Sequence, residues 1–596
     1  MLLSGNEAVA LGAWQAGCRV AAAYPGTPSS EILPAFLECR ERLGGEVYAE
    51  WSTNEKVALE VGAGASMAGA RSLVTMKHVG LNVAADPFFT LAYTGVGAGL
   101  VIISADDPGM HSSQNEQDNR IYARHAHVPL LEPSDSQEAC DFTRLAFEIS
   151  EESDLPVLVR LTTRVCHSRT VVEFQVSRSV RTPEGPAVDP AKYVMIPANA
   201  RARRATLGAR LARAGQRGTL DDLTVEQDGD GDVGFITSGL GYQHLREILP
   251  GVPVLKLGMP YPLPEDRVRD FAERHDRTVV VEELEPFLAE SLLAAHVEVE
   301  GLPEWLHEGE LTPSRLAAGL LKLGVDVGPG WTGGEPTPKP RGLPPRPPVL
   351  CPGCAHRAAF SVLDKHDVFV TGDIGCYTLA ALPPLCGLHS CLAMGAGVSQ
   401  AHGIAKAMDG QQPVVAVIGD STFTHMGLPA LLNAVYNRGN LTVLILDNRS
   451  TAMTGGQDHP GTGATLSGEP APAFDFAAVA RAMGVESVHE IAIDDLNGMD
   501  SAMTRSIAHD GPSVIVVTGP CPLRYDVRAE PYRIEPEECI LCNRCLRIGC
   551  PAIGLTADGA SKRPVIDETL CTGCALCAEI CPVDAIERRE EGDVHA

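Results

Sequence analysis

Two short segments hold the most reactive chemistry in the chain. From Cys539 the sequence reads CILCNRCLRIGCP, and from Cys571 it reads CTGCALCAEICP. In each, three cysteines recur at three-residue steps and one more stands just before a proline. Thiolates are soft ligands that suit iron–sulfur clusters. In two-cluster relays, the first three cysteines of a run hold one cluster and the last reaches across to the other. That pattern assigns Cys539, Cys542, Cys545 and Cys581 to one [4Fe-4S] cluster. It assigns Cys571, Cys574, Cys577 and Cys550 to the second. Pro551 and Pro582 follow the crossing cysteines, but four residues rather than three separate Cys545 from Cys550. A zinc module is the alternative, although zinc sites pair two CxxC steps and do not run three in a row. Clusters of this kind relay electrons, so the rest of the chain must contain their source.

A second constellation lies between Pro413 and Ser450, PVVAVIGDSTFTHMGLPALLNAVYNRGNLTVLILDNRS. VVAVI is a β-branched run that reads as a buried strand. LPALLNAVYNRG reads as a helix closed by Gly439, and LTVLIL as a second strand. Such a unit delivers Asp420 and Asn448 to the carboxyl ends of two parallel strands, where open α/β sheets bind ligands. Mg²⁺ takes octahedral oxygen ligands and shares them with phosphates. Asp420, the Asn448 amide oxygen and a backbone carbonyl near Ser450 would fill half of that shell, with diphosphate and water filling the rest. Gly419-Asp420-Ser421 and Asp447-Asn448 resemble the thiamine diphosphate (ThDP) signature, departing slightly at each end. Ser421 has neither a GxSxG context nor a recognisable triad, which sets aside a hydrolase. Nearer the start, Glu55 in YAEWSTNEKVALEVGAGASMAG precedes a small-residue helix. ThDP chemistry needs a carboxylate against its aminopyrimidine ring. Glu55 is the candidate and Glu60 its competitor.

These segments need a large scaffold. At about 150 residues per domain, 596 residues imply about four domains. Composition is globular, and the 18 cysteines include the eight of the two runs. The net charge of −28 argues against nucleic-acid or anionic-membrane partners. The first residues have no basic flank, and FFTLAYTGVGAGLVII from Phe88 reads as a buried helix followed by a strand. The expectation is a cytoplasmic protein whose cysteines bind metal rather than form disulfides. ANARARRATLGARLARAGQ reads as a basic amphipathic helix with a solvated or interdomain face.

Taken in order, GNEAVALGAWQAGCRVAAAYPGTPSSEI, MKHVGLNVAADPFFTLAYTGV, ADDPGMHSSQNEQDNR, CPGCAHR, GDIGCYTLA and TGGQDHPGTG join the cluster runs in one pattern. The chain resembles the alpha subunits of indolepyruvate ferredoxin oxidoreductases, ThDP-dependent 2-oxoacid:ferredoxin oxidoreductases. The resemblance implies an α/β multi-domain fold. A pyrimidine-binding ThDP domain would span residues 1–185, a linking segment 186–229 and a transketolase C-terminal-like domain 230–325. A Pro/Gly-rich linker would span 326–348, a diphosphate-binding ThDP domain 349–525 and a bacterial-type two-cluster ferredoxin domain 530–596. It also implies oxidative decarboxylation of an aryl 2-oxoacid with coenzyme A, electrons leaving through the clusters to ferredoxin. A smaller beta subunit would be the partner, in an α2β2 assembly. Thr27 of YPGTPSS matches a position near substrate and cofactor. Lys77, His78 and His125 could meet a carboxylate or be structural. Cys351, Cys354, Cys376 and Cys521 match positions that hold a third cluster in related enzymes, or they are small buried hydrophobes.

Overall fold

The computed structural model describes residues 1–588 apart from 180, 181, 184, 187, 221, 329, 332–346, 409, 410 and 557–561. Much of the expected Pro/Gly-rich linker, and residues 589–596 of the expected ferredoxin domain, lie outside the described residues. The chain forms two compact units, Met1–Leu343 and Pro344–Ala596.

The first unit is built on a six-stranded parallel sheet in the order Tyr48–Trp51, Val20–Ala23, Ser72–Lys77, Leu100–Asp106, Val157–Thr162, Leu130–Leu131. Three of these strands, Ser72–Lys77, Leu100–Asp106 and Val157–Thr162, are buried along their whole length. Helices therefore cover both faces, as all-parallel sheets require. FFTLAYTGVGAGLVII falls on the helix Ala85–Thr94 and the strand Leu100–Asp106, as its pattern predicts. A second sheet follows in the order Arg277–Val281, Val233–Thr237, Val254–Leu257, Thr224–Gln227, with only the last strand antiparallel. The basic helix spans Pro197–Gly218. It is partly an interdomain face: Arg203 Nη2 lies 2.5 Å from Asp154 Oδ2, and Arg210 Nη1 donates to the Asp154 carbonyl at 2.9 Å.

Arg120 joins the two sheets of this unit. Its guanidinium is fully buried and meets Asp118 Oδ2 at 2.6 Å and Glu282 Oε2 at 2.9 Å. It also donates to the carbonyls of Glu283 and Glu285.

The second unit holds another six-stranded parallel sheet, in the order Ser390–Cys391, Phe369–Gly372, Val414–Gly419, Thr442–Asp447, Ser513–Thr518, Ser487–Ala492. The two strands read from VVAVI and LTVLIL are neighbours, with Gly419 opposite Leu446. The helix between them is shorter than its sequence suggests. A turn at Asp420–Thr422 and a π-turn at Phe423–Gly427 precede the regular helix Leu428–Tyr436. Arg438, not Gly439, takes the left-handed conformation at its end. Gly439 is needed for space, because a Cβ there would lie 2.4 Å from His402 Nδ1. Beyond this sheet, Tyr532–Ile534 pairs with Ile586–Arg588 and Ile553–Leu555 with Pro564–Ile566, both antiparallel.

Arg120→Ala leaves Glu282 buried without its cation, while Asp118 keeps only Arg160, at 3.7 Å. Losing one partner of a buried pair costs about 3–5 kcal/mol. The urea midpoint of the variant, followed by circular dichroism, is expected to fall accordingly; an unchanged midpoint would refute the joint.

Candidate active site and cluster cavities

In the second unit, the carboxyl ends of neighbouring strands carry the polar groups. Asp373 follows Phe369–Gly372, Asp420 follows Val414–Gly419, and Asn448 follows Thr442–Asp447. Asp420 is 2 % exposed. Its Oδ1 accepts from Ser421 N at 2.7 Å and its Oδ2 from Ser450 N at 3.3 Å. Ser450 N also donates to Asn448 Oδ1 at 3.1 Å, so one backbone amide ties the Asp420 and Asn448 oxygens together. Burial, followed by the charge of Asp420, pushes Asp447 up to about 6. A cation at Asp420 would relieve that repulsion. The Ser450 hydroxyl is buried without a partner. A buried orphan donor beside paired carboxyl and amide oxygens suits a bound metal and phosphate.

Two further groups reach this site that the sequence did not single out. His459, in the TGGQDHPGTG segment, places Nε2 3.1 Å from Asp420 Oδ2. Thr451 Oγ1 donates to Ser421 Oγ at 2.9 Å.

In the first unit, Glu55 opens the helix Glu55–Met67 behind the N-cap Asn54 and is 6 % exposed. Glu60 has its side chain 48 % exposed and paired with Lys56. Burial therefore separates the two candidates. Gly80 makes the room for Glu55: a Cβ there would lie 2.7 Å from Glu55 Oε1. Thr27 is half-buried in a turn anchored by Asn6, whose Nδ2 donates to the Pro28 carbonyl at 2.7 Å. Lys77 and His78 are buried near this end of the sheet, with His78 Nε2 3.2 Å from Asn115 Oδ1. His125 is exposed and packs edge-on against Phe89.

The cysteines line three cavities of the second unit. Cys539, Cys542, Cys545 and Cys581 line one, with Ile540 and Arg544 beside them. Cys550, Cys571, Cys574 and Cys577 line another, which Pro352 and Arg357 also border. The crossing of the last cysteine of each run is thus present in space. The longer spacing before Cys550 is taken up by Gly549, whose φ of 64° is left-handed. The third cavity, of about 260 Å³, is lined by Cys351, Cys354, Cys376 and Cys521 together with His356 and Asn448. Burial pushes Cys354 up to about 12 and Cys376 up to about 11, with neighbouring thiols adding to both. Gathered buried thiols become ligands when a metal's charge deprotonates them. Among the described residues, no three His, Cys, Asp or Glu side chains converge as a single-ion site.

Arg357, the arginine of CPGCAHR, joins two of these cavities. Its guanidinium donates to the carbonyls of Leu350, Ile548 and Gly549, the Ile548 bond being 2.8 Å. Close packing extends the joint, because a Cβ on Gly353 would lie 2.2 Å from Thr572 Oγ1.

Comparison with known proteins agrees with this layout. Residues 11–211 match the family of pyruvate flavodoxin/ferredoxin oxidoreductase thiamine diphosphate-binding domains. Residues 373–517 match the C-terminal binding domain of thiamine pyrophosphate enzymes, and residues 532–588 a 4Fe-4S dicluster domain. The chain is thus a thiamine diphosphate-dependent oxidoreductase with an iron–sulfur domain. It is 41 % identical to the indolepyruvate oxidoreductase subunit IorA of Archaeoglobus fulgidus over 98 % of this chain and 97 % of that protein. It is 42 % identical to the subunit of the same name from Methanothermobacter marburgensis, again over 98 % and 97 %. For that of Pyrococcus abyssi the figures are 39 %, 100 % and 98 %. The chain belongs to this IorA family of 2-oxoacid:ferredoxin oxidoreductases.

The third cavity makes a compositional prediction. Anaerobically reconstituted protein is expected to hold about twelve irons per chain, falling to about eight in Cys376→Ala. About eight irons in the unaltered protein would leave those four cysteines without a cluster.

Proposed function

We propose that this chain is the catalytic subunit that converts aryl 2-oxoacids, indolepyruvate among them, to aryl-acetyl-CoA and CO₂. The balance is RCOCOO⁻ + HSCoA → RCOSCoA + CO₂ + H⁺ + 2e⁻. The electrons pass singly through [4Fe-4S] clusters to ferredoxin. The names of the relatives support the aryl substrate. One observation carries the redox reading: three four-cysteine cavities in the same unit as Asp420 and Asn448, the third of them lined by Asn448 itself. A decarboxylase releasing an aldehyde would have no use for such a series.

When bound, ThDP supplies the nucleophilic carbon and the electron sink for decarboxylation. Asp420 and Asn448 are assigned to Mg²⁺, with Gly419, Ser421 and Ser450 bordering the diphosphate. Glu55 is assigned to the aminopyrimidine ring, in a buried position where a single acid–base contact counts most. Thr27 is assigned to the substrate side. The cavity of Cys550, Cys571, Cys574 and Cys577 borders Pro352 and Arg357, and makes the inner station of the relay. That of Cys539, Cys542, Cys545 and Cys581 is lined within residues 534–586 and makes the outer one. The working enzyme needs a smaller beta subunit, and α2β2 is the proposed assembly. No helix among the described residues is long and apolar enough to cross a membrane. A cytoplasmic location is proposed.

Anaerobic visible and EPR spectra of the protein with its beta subunit, ThDP, Mg²⁺ and coenzyme A test this. Indolepyruvate is expected to bleach the clusters and pyruvate to bleach them little. Carbon dioxide release without cluster reduction would replace the proposal with non-oxidative decarboxylation. Glu55→Gln is expected to lose at least about 100-fold in turnover, the range of a general acid–base group, with its cluster spectrum intact. Full turnover in that variant would move the role elsewhere.

A further inference from the structure

Lys77 ends the strand Ser72–Lys77 and is 9 % exposed. Its Nζ donates to the Ser112 carbonyl at 2.8 Å and lies 3.4 Å from Ser112 Oγ. No carboxylate of the described residues stands within ion-pair distance of it. Asp107 acts on it at longer range, but the Asp107 oxygens are already engaged. Oδ2 accepts from Ser112 N at 2.8 Å and Ser113 Oγ at 2.5 Å, and Oδ1 from Thr163 Oγ1 at 2.7 Å. A buried ammonium with a spare donor and no counterion is costly unless an anion joins it. Burial accordingly pulls Lys77 down to about 8.

Its neighbours indicate where that anion would sit. A Cβ on Gly26 would lie 2.9 Å from Lys77 Cβ, so the lysine packs against the turn that presents Thr27. Three residues further on, Gly80 abuts the Glu55 carboxylate. The diphosphate is accounted for by Asp420 and Asn448 in the function proposed above. The anion that the substrate brings to the reacting carbon, beside Thr27 and Glu55, is the carboxylate of the 2-oxoacid.

We propose that Lys77 receives the substrate carboxylate, a reading that rests on the function proposed above. As CO₂ departs, the negative charge moves away from the ammonium. The contact therefore binds the substrate more than it stabilises the transition state, and its loss raises KM more than it lowers kcat.

The test uses the complete enzyme with its beta subunit, coenzyme A and benzyl viologen as acceptor. Lys77→Met is compared with the unaltered enzyme on indolepyruvate and on indole-3-acetaldehyde. The aldehyde has no carboxylate and is oxidised by RCHO + HSCoA → RCOSCoA + 2H⁺ + 2e⁻. Indole-3-propionate serves as an unreactive carboxylate probe. A lost charge-assisted hydrogen bond predicts about a 10- to 100-fold rise in KM for indolepyruvate. The inhibition constant of indole-3-propionate should rise in proportion, with a far smaller loss on the aldehyde. Lys77→Arg, which keeps the charge, should recover most of the affinity. Equal losses on oxoacid and aldehyde, or an unchanged KM and inhibition constant, would overturn the assignment. An unaltered enzyme that oxidises neither substrate would remove the function itself.

Discussion

The guanidinium of Arg357 is the contact on which the redox half of the molecule depends. It is buried, it meets no carboxylate of the described residues at bonding distance, and it spends its donors on backbone carbonyls. A carbonyl cannot be protonated away or rotated into another rotamer, so this joint is set by the chain path alone. Leu350 lies on one side of it, and Ile548 with Gly549 on the other. The loop that carries Cys351 and Cys354 is thereby fastened to the turn that carries Cys550. Electron transfer falls steeply with distance, and a relay works only if its stations are held at fixed separations. In this unit one cation ties the loop of the cavity that includes Asn448 to the turn of the cavity that includes Cys550.

The two parallel sheets solve a different problem in the same way. Each places its polar groups where strands end, because strand interiors buried on both faces have no room for charge. Glu55, Lys77 and Asp107 stand at such ends in the first unit, and Asp420 and Asn448 in the second. The exception is Arg160, fully buried within the strand Val157–Thr162 and paired with Asp106 at 2.6 Å and with Glu132. Its charge is tolerated because carboxylates surround it.

The parts of this architecture that were legible in the sequence are those encoded over short spans. The VVAVI and LTVLIL runs announce strands because a short, unbroken β-branched stretch packs best when both of its faces are covered in a sheet. The cysteine runs announce their own cavities, crossing ligands included, because three-residue steps and a following proline are local signals. Glu55 and Glu60 were harder to separate, since both lie in one helix; only the burial of the first and the Lys56 pairing of the second distinguish them in space. What was not legible depends on partners far along the chain. His459 meets Asp420 across 39 residues, Gly80 matters only because Glu55 lies against it, and Arg357 binds residues nearly two hundred positions away. The need for glycine at 439 has the same origin, a close approach by His402.

The two cysteine runs look like copies of one unit. Their short helices, Arg544–Arg547 and Leu576–Glu579, carry a cysteine at the same place, and Ile548 and Ile580 follow each. The copies then diverge by one residue, Gly549, and that residue is held by Arg357. A repeat standing alone could keep its halves interchangeable. Once one half acquires a neighbour that grips its turn, the pseudo-symmetry is broken, and the module can be seated only one way round. A single inserted glycine thus gives a symmetric duplication a direction, with one end committed to the catalytic domain and the other left to face outward.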